Sequence, residues 1–565
     1  MRLAGWTPIV AVVLAACERA ASVDPTHATT LILRGGTIHT MDEAGTVAEA
    51  MVIRAGAIVH VGDDQTARAH ADRGAAILEL GDRVVLPGFH DVHTHLIAGG
   101  TERLDVDLAA VESVDALVEA VATWAEQHPD AAWVRGGGWD MASFAGSLHA
   151  SQLDVAVLAD RPVFLISVDG HSALVNAVAL ARAGIDASTP DPPRGRIERD
   201  DEGVPTGILH EAAIDLVADR IPPHADAQVD RGLAEALREA KGFGITTIVD
   251  ASVREWMLAG YARAEAAGTL TLRVHAAAWF EPGEPGELER VVELRRRYSS
   301  ERVEVDAVKF FVDGILESGT AHLLEPYLDG DLPAPYYTDE VLERAAIELD
   351  ALGFQLHAHV IGDGAARQFL DVVEAVARAN GPRDRRPQLA HLELVHPDDL
   401  ARFAALGAYA NFQMLWAWPD PYVRELTRPV IGEPRSTRLY PIGALHAAGA
   451  TIVAGSDWSV SSMNPFEAIE VAITRQDPHA DAGERLGPDQ RIDLDTALRA
   501  YTSAAAEVTF SEALVGSLEV GKRADFVIVD RDPFAIAPAE LSEVQVEQTW
   551  LEGERVFERP GPQRR

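Results

Sequence analysis

Chain length, composition and charge already exclude some classes of protein. The chain has 565 residues, 47% of them hydrophobic and 24% charged, which is ordinary for a folded globular protein and excludes wholesale disorder. Its 49 Lys and Arg stand against 88 Asp and Glu, a formal net charge of −39. A surface this acidic repels phosphate backbones and anionic lipid headgroups, so no nucleic-acid partner is expected.

The N-terminal residues have the pattern of an export signal. An apolar run from Ile9 to Ala16 follows Arg2; it is shorter than the ~20 residues of a membrane-spanning helix and fits a signal-peptide core. The LAAC ending at Cys17 resembles a bacterial lipobox, which implies cleavage before Cys17 and lipid attachment to its thiol. The alternative is an ordinary secretory signal followed by an unrelated cysteine. We therefore expect a signal peptide at residues 1–16, a lipidated tether at 17–29, and an exported periplasmic lipoprotein whose membrane contact is the anchor alone.

Cysteine usage limits the kinds of metal site. Cys17 is the one cysteine of the sequence, so a disulfide framework and a thiolate cluster are excluded. Any bound metal must be held by His, Asp, Glu or a modified Lys.

Short β-like runs separated by glycines occupy both ends of the remaining chain. They include TLILRGGTIHT within residues 30–84 and ADFVIVD within residues 506–565. Because the runs at both ends share this pattern, we predict one small β-sandwich built from both termini.

Between these ends, apolar strands alternate with helical patterns, which is typical of a parallel α/β barrel. Eight strand-like runs are predicted, at residues 84–95, 244–252, 270–279, 306–314, 354–363, 387–395, 408–413 and 451–458. The predicted fold is therefore α/β, a TIM-like (β/α)8 barrel over residues 85–505. About 150 residues separate the first two runs, far more than an ordinary connection, so we expect an insertion at about 100–240 that caps the carboxyl ends of the strands.

Metal-ligand side chains fall at the ends of several predicted strands. His93 and His95 are two residues apart, so both can point into one cavity, and imidazoles are good ligands for Zn²⁺. Further candidates lie in the fourth, fifth, sixth and eighth strands: Lys309, His359, His391 and Asp457. In a closed barrel these strand ends converge on one mouth. His357 is an alternative to His359, because it lies two residues earlier on the same strand face.

Nine segments in order, covering nearly all of residues 30–560, carry a family resemblance. They are PGFHDVHTH (87–95), WVRGGGWD (133–140), RPVFLISVDGHSALVN (161–176), PTGILHEAA (205–213), VKFFVDG (308–314), HVIGD (359–363), LAHLELV (389–395), AGSDW (454–458) and GSLEVGKRADFVIVDRDP (516–533). The sequence resembles the amidohydrolase superfamily and, within it, amidohydrolase family 3, which includes metal-dependent hydrolases of the N-substituted formamide deformylase type.

The resemblance implies a role for each candidate ligand. His93 and His95 bind a buried divalent ion, expected to be Zn²⁺, and His359 and His391 bind a second, more exposed ion if two are present. Asp457 binds metal and also accepts the proton of the attacking hydroxide and passes it to the departing nitrogen. The alternative for Asp457 is a strand-end residue that caps the next helix.

Lys309 has two interpretations. The resemblance implies that its amine is carboxylated and bridges two ions, and burial in an apolar strand favours the neutral amine that carboxylation requires. The alternative is a lysine paired with a carboxylate such as Asp313.

The substrate contacts are less determined by the sequence. His171 matches a family motif and either contacts substrate or is a structural histidine bonded to Asp169 or the backbone. Trp139 either lines an apolar pocket for substrate or packs in the core. Asp363 either supports the ligand His359 or caps a helix, and Glu211 is assigned no role.

The predicted function is hydrolysis of a non-peptide C–N bond in a small amide, an N-substituted formamide or a cyclic amide. An esterase or lactonase is the first alternative, because the same site attacks any activated carbonyl. The second is a catalytically silent periplasmic ligand-binding lipoprotein. A homodimer is an assembly that the sequence leaves open.

Overall fold

The computed structural model of the chain describes residues 30–70, 75–144, 148–480 and 483–561. The expected export signal, the tether and Cys17 lie outside the described residues. Within the described ranges, no helix combines the length and apolar character needed to cross a bilayer.

Strands occur along the whole described part of the chain. In chain order they are β1 (Thr30–His39), β2 (Val47–Arg54), β3 (Ala57–Gly62), β4 (Ala76–Glu79), β5 (Val84–Pro87), β6 (Phe89–Thr94), β7 (Val106–Asp107), β8 (Val134–Trp139), β9 (Val163–Ser167), β10 (Ser172–Val175), β11 (Gly195–Arg199), β12 (Pro205–Glu211), β13 (Ile245–Val253), β14 (Arg273–Trp279), β15 (Val303–Phe311), β16 (Gln355–Val360), β17 (Gln388–His391), β18 (Tyr409–Phe412), β19 (Thr451–Ala454), β20 (Phe526–Val529), β21 (Val546–Leu551) and β22 (Glu554–Glu558).

Helices connect most of the central strands. The α-helices are α1 (Asp64–Ala67), α2 (Leu96–Glu102), α3 (Val114–Gln127), α4 (Met141–Phe144), α5 (Ala177–Ala183), α6 (Asp215–Ala218), α7 (Asp226–Gly242), α8 (Glu255–Ala266), α9 (Glu287–Tyr298), α10 (Asp339–Ala351), α11 (Asp363–Asn380), α12 (Leu400–Leu406), α13 (Arg428–Ile431), α14 (Glu433–Ser436), α15 (Ile442–Ala447), α16 (Pro465–Thr474), α17 (Leu494–Ala500) and α18 (Ser503–Val508). A π-helical turn spans Tyr422–Thr427, and short 3₁₀ turns span Arg68–His70, Ala150–Leu153, Ala156–Leu158, Pro397–Asp399, Met414–Trp416, Pro488–Gln490 and Pro538–Glu543.

The eight central strands form one parallel sheet that curves into a barrel. Its order is β6-β13-β14-β15-β16-β17-β18-β19, so each of the eight predicted runs contributes a strand. Two backbone hydrogen bonds join the last strand to the first, from Asp457 N to His93 O and from His95 N to Trp458 O, both 2.7 Å. The predicted TIM-like barrel is confirmed.

The first predicted run divides between two sheets. Its first part is β5, which pairs antiparallel with β20 near the C-terminus, and its second part is the barrel strand β6. Gly88 lies between them, where a Cβ atom would lie 2.4 Å from Oγ1 of Thr246. A glycine at this step therefore lets the barrel backbone approach closely while the chain changes sheets.

Two further sheets flank the barrel in the described chain. Strands from both ends share one sheet, of order β22-β21-β20-β5-β1-β2-β3 with β4 beside β1; the sandwich and its limits at residues 30–84 and 506–565 stay a prediction. A second sheet, of order β11-β12-β10-β9-β8-β7, lies entirely between residues 106 and 211. It falls in the long segment between the first two barrel strands, where the insertion is predicted, and several of its residues line the cavity described below.

Candidate metal centre

Three candidate ligands meet where the first and last barrel strands join. Oδ1 of Asp457 lies 3.0 Å from Nε2 of His95 and 3.4 Å from Nε2 of His93. The potential ligand atoms of these three residues all lie within 4.8 Å of one another. They therefore form a compact set of two imidazoles and one carboxylate, which fits a divalent cation such as Zn²⁺.

Local contacts bring the AGSDW segment onto the first strand. Gly455 allows the approach, because a Cβ atom there would lie 2.4 Å from the backbone N of His93. Asp91 accepts hydrogen bonds from Ser456 N at 2.9 Å and from Ser456 Oγ at 2.5 Å. Burial raises the pKa of Asp91 to about 7. This carboxyl, which the sequence alone did not single out, fixes the two ligand-bearing segments to each other.

Lys309 lies beside the three ligands rather than beside Asp313. Its side chain is buried, and Nζ lies 3.1 Å from Nε2 of His93. The Asp313 carboxylate instead accepts the backbone N–H groups of Ile361 and Gly362, at 3.0 and 2.8 Å. Burial lowers the pKa of Lys309 to about 7, so a large share of its amine is neutral at neutral pH, which is the state that carboxylation requires.

His359 and His391 adjoin this group. The ring centroids of His359 and His391 are 4.5 Å apart, and those of His391 and His93 are 4.8 Å apart. Nε2 of His359 donates to the carbonyl oxygen of Gly314 at 3.1 Å, which leaves Nδ1 as the nitrogen with a free lone pair. Nδ1 of His391 is buried and has no hydrogen-bond partner. Since buried polar atoms are normally paired, this nitrogen also fits a metal ligand.

The protonation of three of the four candidate imidazoles agrees with this assignment. Burial lowers the pKa values of His93, His359 and His391 well below the usual value, so these rings are neutral, as metal ligands must be. Burial also lowers the pKa of His95, but its hydrogen bond to the Asp457 carboxylate more than offsets this and the net pKa is raised.

His357 has a different position from His359. It is fully buried, and its Nε2 lies 3.0 Å from Nδ1 of His93. It therefore lies behind a ligand and orients that ring, whereas His359 lines the cavity.

His171 and Glu211 form a buried pair at the cavity. Nδ1 of His171 lies 2.9 Å from Oε2 of Glu211, and its ring centroid is 5.2 Å from that of His359. Burial lowers the pKa of His171, but the Glu211 carboxylate more than offsets this and raises it to about 9. The backbone N–H of His171, and not its ring, donates to Asp169, at 2.9 Å. The structure therefore pairs His171 with a residue to which sequence reasoning gave no role.

Trp139 and Asp363 lie apart from the ligand atoms. Trp139 is 3% exposed and donates from Nε1 to the carbonyl oxygen of Leu165 at 2.9 Å. It packs in the hydrophobic core of the inserted sheet, which corresponds to the second of its two interpretations, while its neighbour Asp140 lines the cavity. Asp363 is not the cap of α11; its carboxylate accepts from Leu324 N at 2.9 Å and holds that loop.

The candidate ligands open into a cavity of about 1310 Å³. The inserted sheet and the loops after the barrel strands enclose it. The indole of Trp416 lies on one wall and stacks on His391, with centroids 5.5 Å apart and planes 5° apart. A space of this size accepts a small organic molecule with room to spare.

An eight-stranded parallel barrel with histidine and carboxylate side chains at the carboxyl ends of its strands defines a class, the TIM-barrel metal-dependent hydrolases. The chain belongs to the amidohydrolase family, whose sequence profile matches residues 76–557.

Individual relatives extend this similarity over almost the whole chain. The chain is 31% identical to the protein LONG AFTER FAR-RED 3 of Arabidopsis thaliana, over 93% of this chain and 91% of that protein. It is 29% identical to the N-substituted formamide deformylase of Arthrobacter pascens, over 94% of this chain and 99% of that enzyme. A crystal structure of an uncharacterized metal-dependent hydrolase from Pyrococcus horikoshii OT3 is similar with a TM-score of 0.73 and 25% identity, over 90% of this chain and 99% of that one.

Proposed function

We propose that this protein is a metal-dependent amidohydrolase that cleaves a non-peptide C–N bond in a small amide, an N-substituted formamide or a cyclic amide. The observation that carries the proposal is the convergence of His93, His95 and Asp457 with Lys309 at the base of a cavity sized for a small molecule. Similarity to an N-substituted formamide deformylase supports the choice of bond.

The donor set supports a divalent ion, with Zn²⁺ as the ion that imidazole and carboxylate ligands favour. His93, His95 and Asp457 would hold one ion, and His359 and His391 a second, with a carboxylated Lys309 between them. When bound, such an ion lowers the pKa of a water molecule and polarises the substrate carbonyl.

The protein's own side chains supply the proton transfers and the orientation. The carboxylate of Asp457 accepts a proton from the attacking water and returns it to the departing nitrogen. His171, whose Nδ1 is bonded to Glu211, presents Nε2–H as a donor to a substrate oxygen. His357 holds the ring of His93 in place from behind.

Asp457→Asn tests the proposal directly. The amide side chain cannot accept the proton, so kcat on a formamide substrate is expected to fall about 10³-fold while most of the metal is retained. Metal content by elemental analysis and turnover on matched formamide, amide, lactam and ester substrates are measured together. The control is Asp398→Asn, which removes a carboxylate that is 84% exposed.

Three results would contradict the proposal. Wild-type turnover in Asp457→Asn would remove this residue from the reaction. A higher kcat/KM for the ester than for the matched amide would favour the esterase or lactonase. A metal-loaded protein that hydrolyses no substrate would favour the ligand-binding lipoprotein.

We also propose that the protein is exported and held in the periplasm by a lipid on Cys17. The support is the LAAC sequence after an apolar run of signal-peptide length.

A further inference from the structure

One wall of the cavity carries three carboxyl groups that have no role in the chemistry proposed above. They are Glu317, after β15; Glu393, two residues after His391; and Asp420, just before the π-helical turn. Because Glu393 follows His391 so closely, this wall adjoins the second pair of candidate ligands. The three carboxyl groups of Glu317, Glu393 and Asp420 are together called the acidic wall.

Glu393 is the member of the acidic wall with a buried oxygen that lacks a hydrogen-bond partner. It is 5% exposed, and its Oε2 is buried without a hydrogen-bond partner. Burying a carboxylate oxygen without a partner is costly unless a positive group or a donor occupies the space in front of it. Glu393 is also a lining residue of the cavity, so a ligand bound there would lie beside this carboxyl group.

The other two carboxylates are held in place without a cationic partner. Oε1 of Glu317 accepts a hydrogen bond from Thr427 Oγ1, and Oδ1 of Asp420 accepts from Val423 N at 2.8 Å. In the described part of the chain, no lysine or arginine forms an ion pair with any residue of the acidic wall.

The charges of the acidic wall act on one another. Burial, together with the neighbouring carboxyl of Glu317, raises the pKa of Asp420 to about 7. The cationic ring of His171 acts on Glu317 as well, but that ring is bonded to Glu211 at 2.9 Å. The carboxyl groups therefore act on one another, while Arg424, whose charge also acts on Asp420, lies 3.6 Å from the carboxylate of Glu484.

Aromatic rings line the same part of the cavity. They belong to Trp416, Trp418, Tyr422 and Tyr440. The hydroxyl of Tyr422 donates to Asp169, a further carboxylate at the cavity, at 3.2 Å. Carboxylates combined with aromatic faces are the surroundings that favour an organic cation, because ring faces attract positive charge.

We infer that the acidic wall is a subsite for a positively charged substituent of the substrate, an ammonium or guanidinium group a few bonds from the scissile amide. The inference rests on the proposed function, since it places this group in the cavity of the hydrolase. The net charge of −39 acts in the same direction, because an acidic protein attracts cationic substrates and repels anionic ones.

Three formamides of equal chain length test the preference. They are N-(4-aminobutyl)formamide, which is cationic, N-pentylformamide, which replaces its ammonium by methyl, and N-formyl-5-aminopentanoate, which is anionic. With the metal-loaded enzyme at pH 7, kcat/KM for the cation is expected to exceed that of the neutral compound about 10- to 100-fold, the range expected for a desolvated charge pair, with the anion slowest.

Charge-removing variants locate the effect. Glu393→Gln and Glu317→Gln should each reduce the cation-to-neutral ratio of kcat/KM at least about fivefold, and the double variant should bring it close to one. Glu425→Gln is the matched control, because it removes an exposed carboxylate from the same π-helical turn and should leave the ratio unchanged.

A binding measurement separates this inference from the proposed function. Calorimetry compares methylguanidinium with its neutral isostere methylurea, and requires no turnover. Tighter binding of methylguanidinium that is lost in the double variant supports the acidic wall even if no formamide is hydrolysed, in which case only the proposed function fails. Hydrolysis with equal rates for cation and neutral compound, or a cation preference that persists in the double variant, overturns the inference and leaves the hydrolase intact. A divalent ion bound by the acidic wall and lost in the double variant, without preference for methylguanidinium, also overturns it.

Discussion

Two groups of histidine and carboxylate side chains lie at opposite ends of the same barrel. At the mouth, His93, His95 and Asp457 lie at the carboxyl ends of strands. Near the other end, His275 on β14 lies 3.0 Å from Asp306 and 3.9 Å from Glu304 on β15. By residue type and spacing alone, both groups qualify as candidate metal sites.

The surroundings of the two groups differ. Burial lowers the pKa of His93 well below its usual value, which leaves a neutral ring with a lone pair to offer. Burial acts on His275 too, but Asp306 more than offsets it and raises the pKa of that ring. Glu304 is 58% exposed. The pKa of His95 in the first group is raised by Asp457 in the same way, so the groups differ in what surrounds them. His359, His391 and Lys309 adjoin the first group, whereas the second ends in an exposed carboxylate and is better described as an ion pair.

The largest expected effect separates the two groups by mutation. His93→Ala should lose both metal and activity, with kcat/KM falling at least about 10³-fold, because it removes a central ligand of the set. His275→Ala should keep the metal content and a rate within about threefold of wild type. Elemental analysis and steady-state kinetics on both variants check this. Full metal content in His93→Ala, or metal loss in His275→Ala, would contradict the conclusion that the first group binds metal and the second does not.

A smaller effect is expected from Lys309, which lies beside the ligands. Lys309→Met keeps the length of the side chain but cannot be carboxylated, so metal affinity and kcat/KM should fall about 10- to 100-fold, the range for residues that support a metal site. Titration of the metal-free protein with Zn²⁺ measures affinity and stoichiometry. Lys241→Met, in the last turn of α7, is the control. Unchanged Zn²⁺ stoichiometry and kcat/KM in Lys309→Met would mean that this lysine only packs beside the site and does not support metal binding.

The smallest expected effect is on the free energy of unfolding, through a histidine at the end of the barrel opposite the candidate metal centre. His90 is buried with both ring nitrogens unpartnered, and burial lowers its pKa to about 3, with the charges of His275 and Arg273 adding to this. Below its unfolded pKa of 6.5, the unfolded chain binds a proton that the folded chain does not. Stability therefore falls as pH falls from about 6.5 towards 3, by about 1.4 kcal/mol per pH unit, or ~2 kcal/mol at pH 5.

Urea unfolding at pH 7 and pH 5 measures this contribution. His90→Leu should lose ~2 kcal/mol less than wild type on acidification, whereas replacing the exposed His446 with Leu should not change that loss. An equal loss in wild type and His90→Leu would mean that this histidine does not contribute to acid sensitivity.

The barrel was predictable because its strands are apolar runs that differ from the helices between them. The positions of His93, Lys309, His391 and Asp457 followed from the same pattern, because strand ends in a barrel meet at one mouth. The roles of these residues in catalysis stay predictions that the variants above test.

Side-chain partners across long sequence separations could not be predicted. Asp91 and Ser456 are 365 residues apart, and His171 and Glu211 are 40 residues apart. Nothing in the local sequence around either residue of a pair encodes its partner, since the contact exists only after the sheets are assembled.

Trp139 shows why the sequence left two interpretations of one side chain open, a substrate pocket and core packing. Strand alternation predicts one face for residues two apart, but the pairing of β8 with β9 shifts between Gly137 and Trp139. An extra residue at such a bulge changes the face on which later side chains lie. The indole is consequently buried in the inserted sheet, with Phe144 at its edge.

The join between the first and last barrel strands has a thermodynamic consequence. The two backbone hydrogen bonds across it involve His93, His95 and Asp457, the same residues that would bind the ion. Any free energy gained by holding a cation there is also gained by the closed sheet, because an ion bound only by the folded state stabilises that state. The ion would then stabilise the closed barrel as well as take part in the reaction. Removing it with a chelator would weaken the fold first where β6 meets β19.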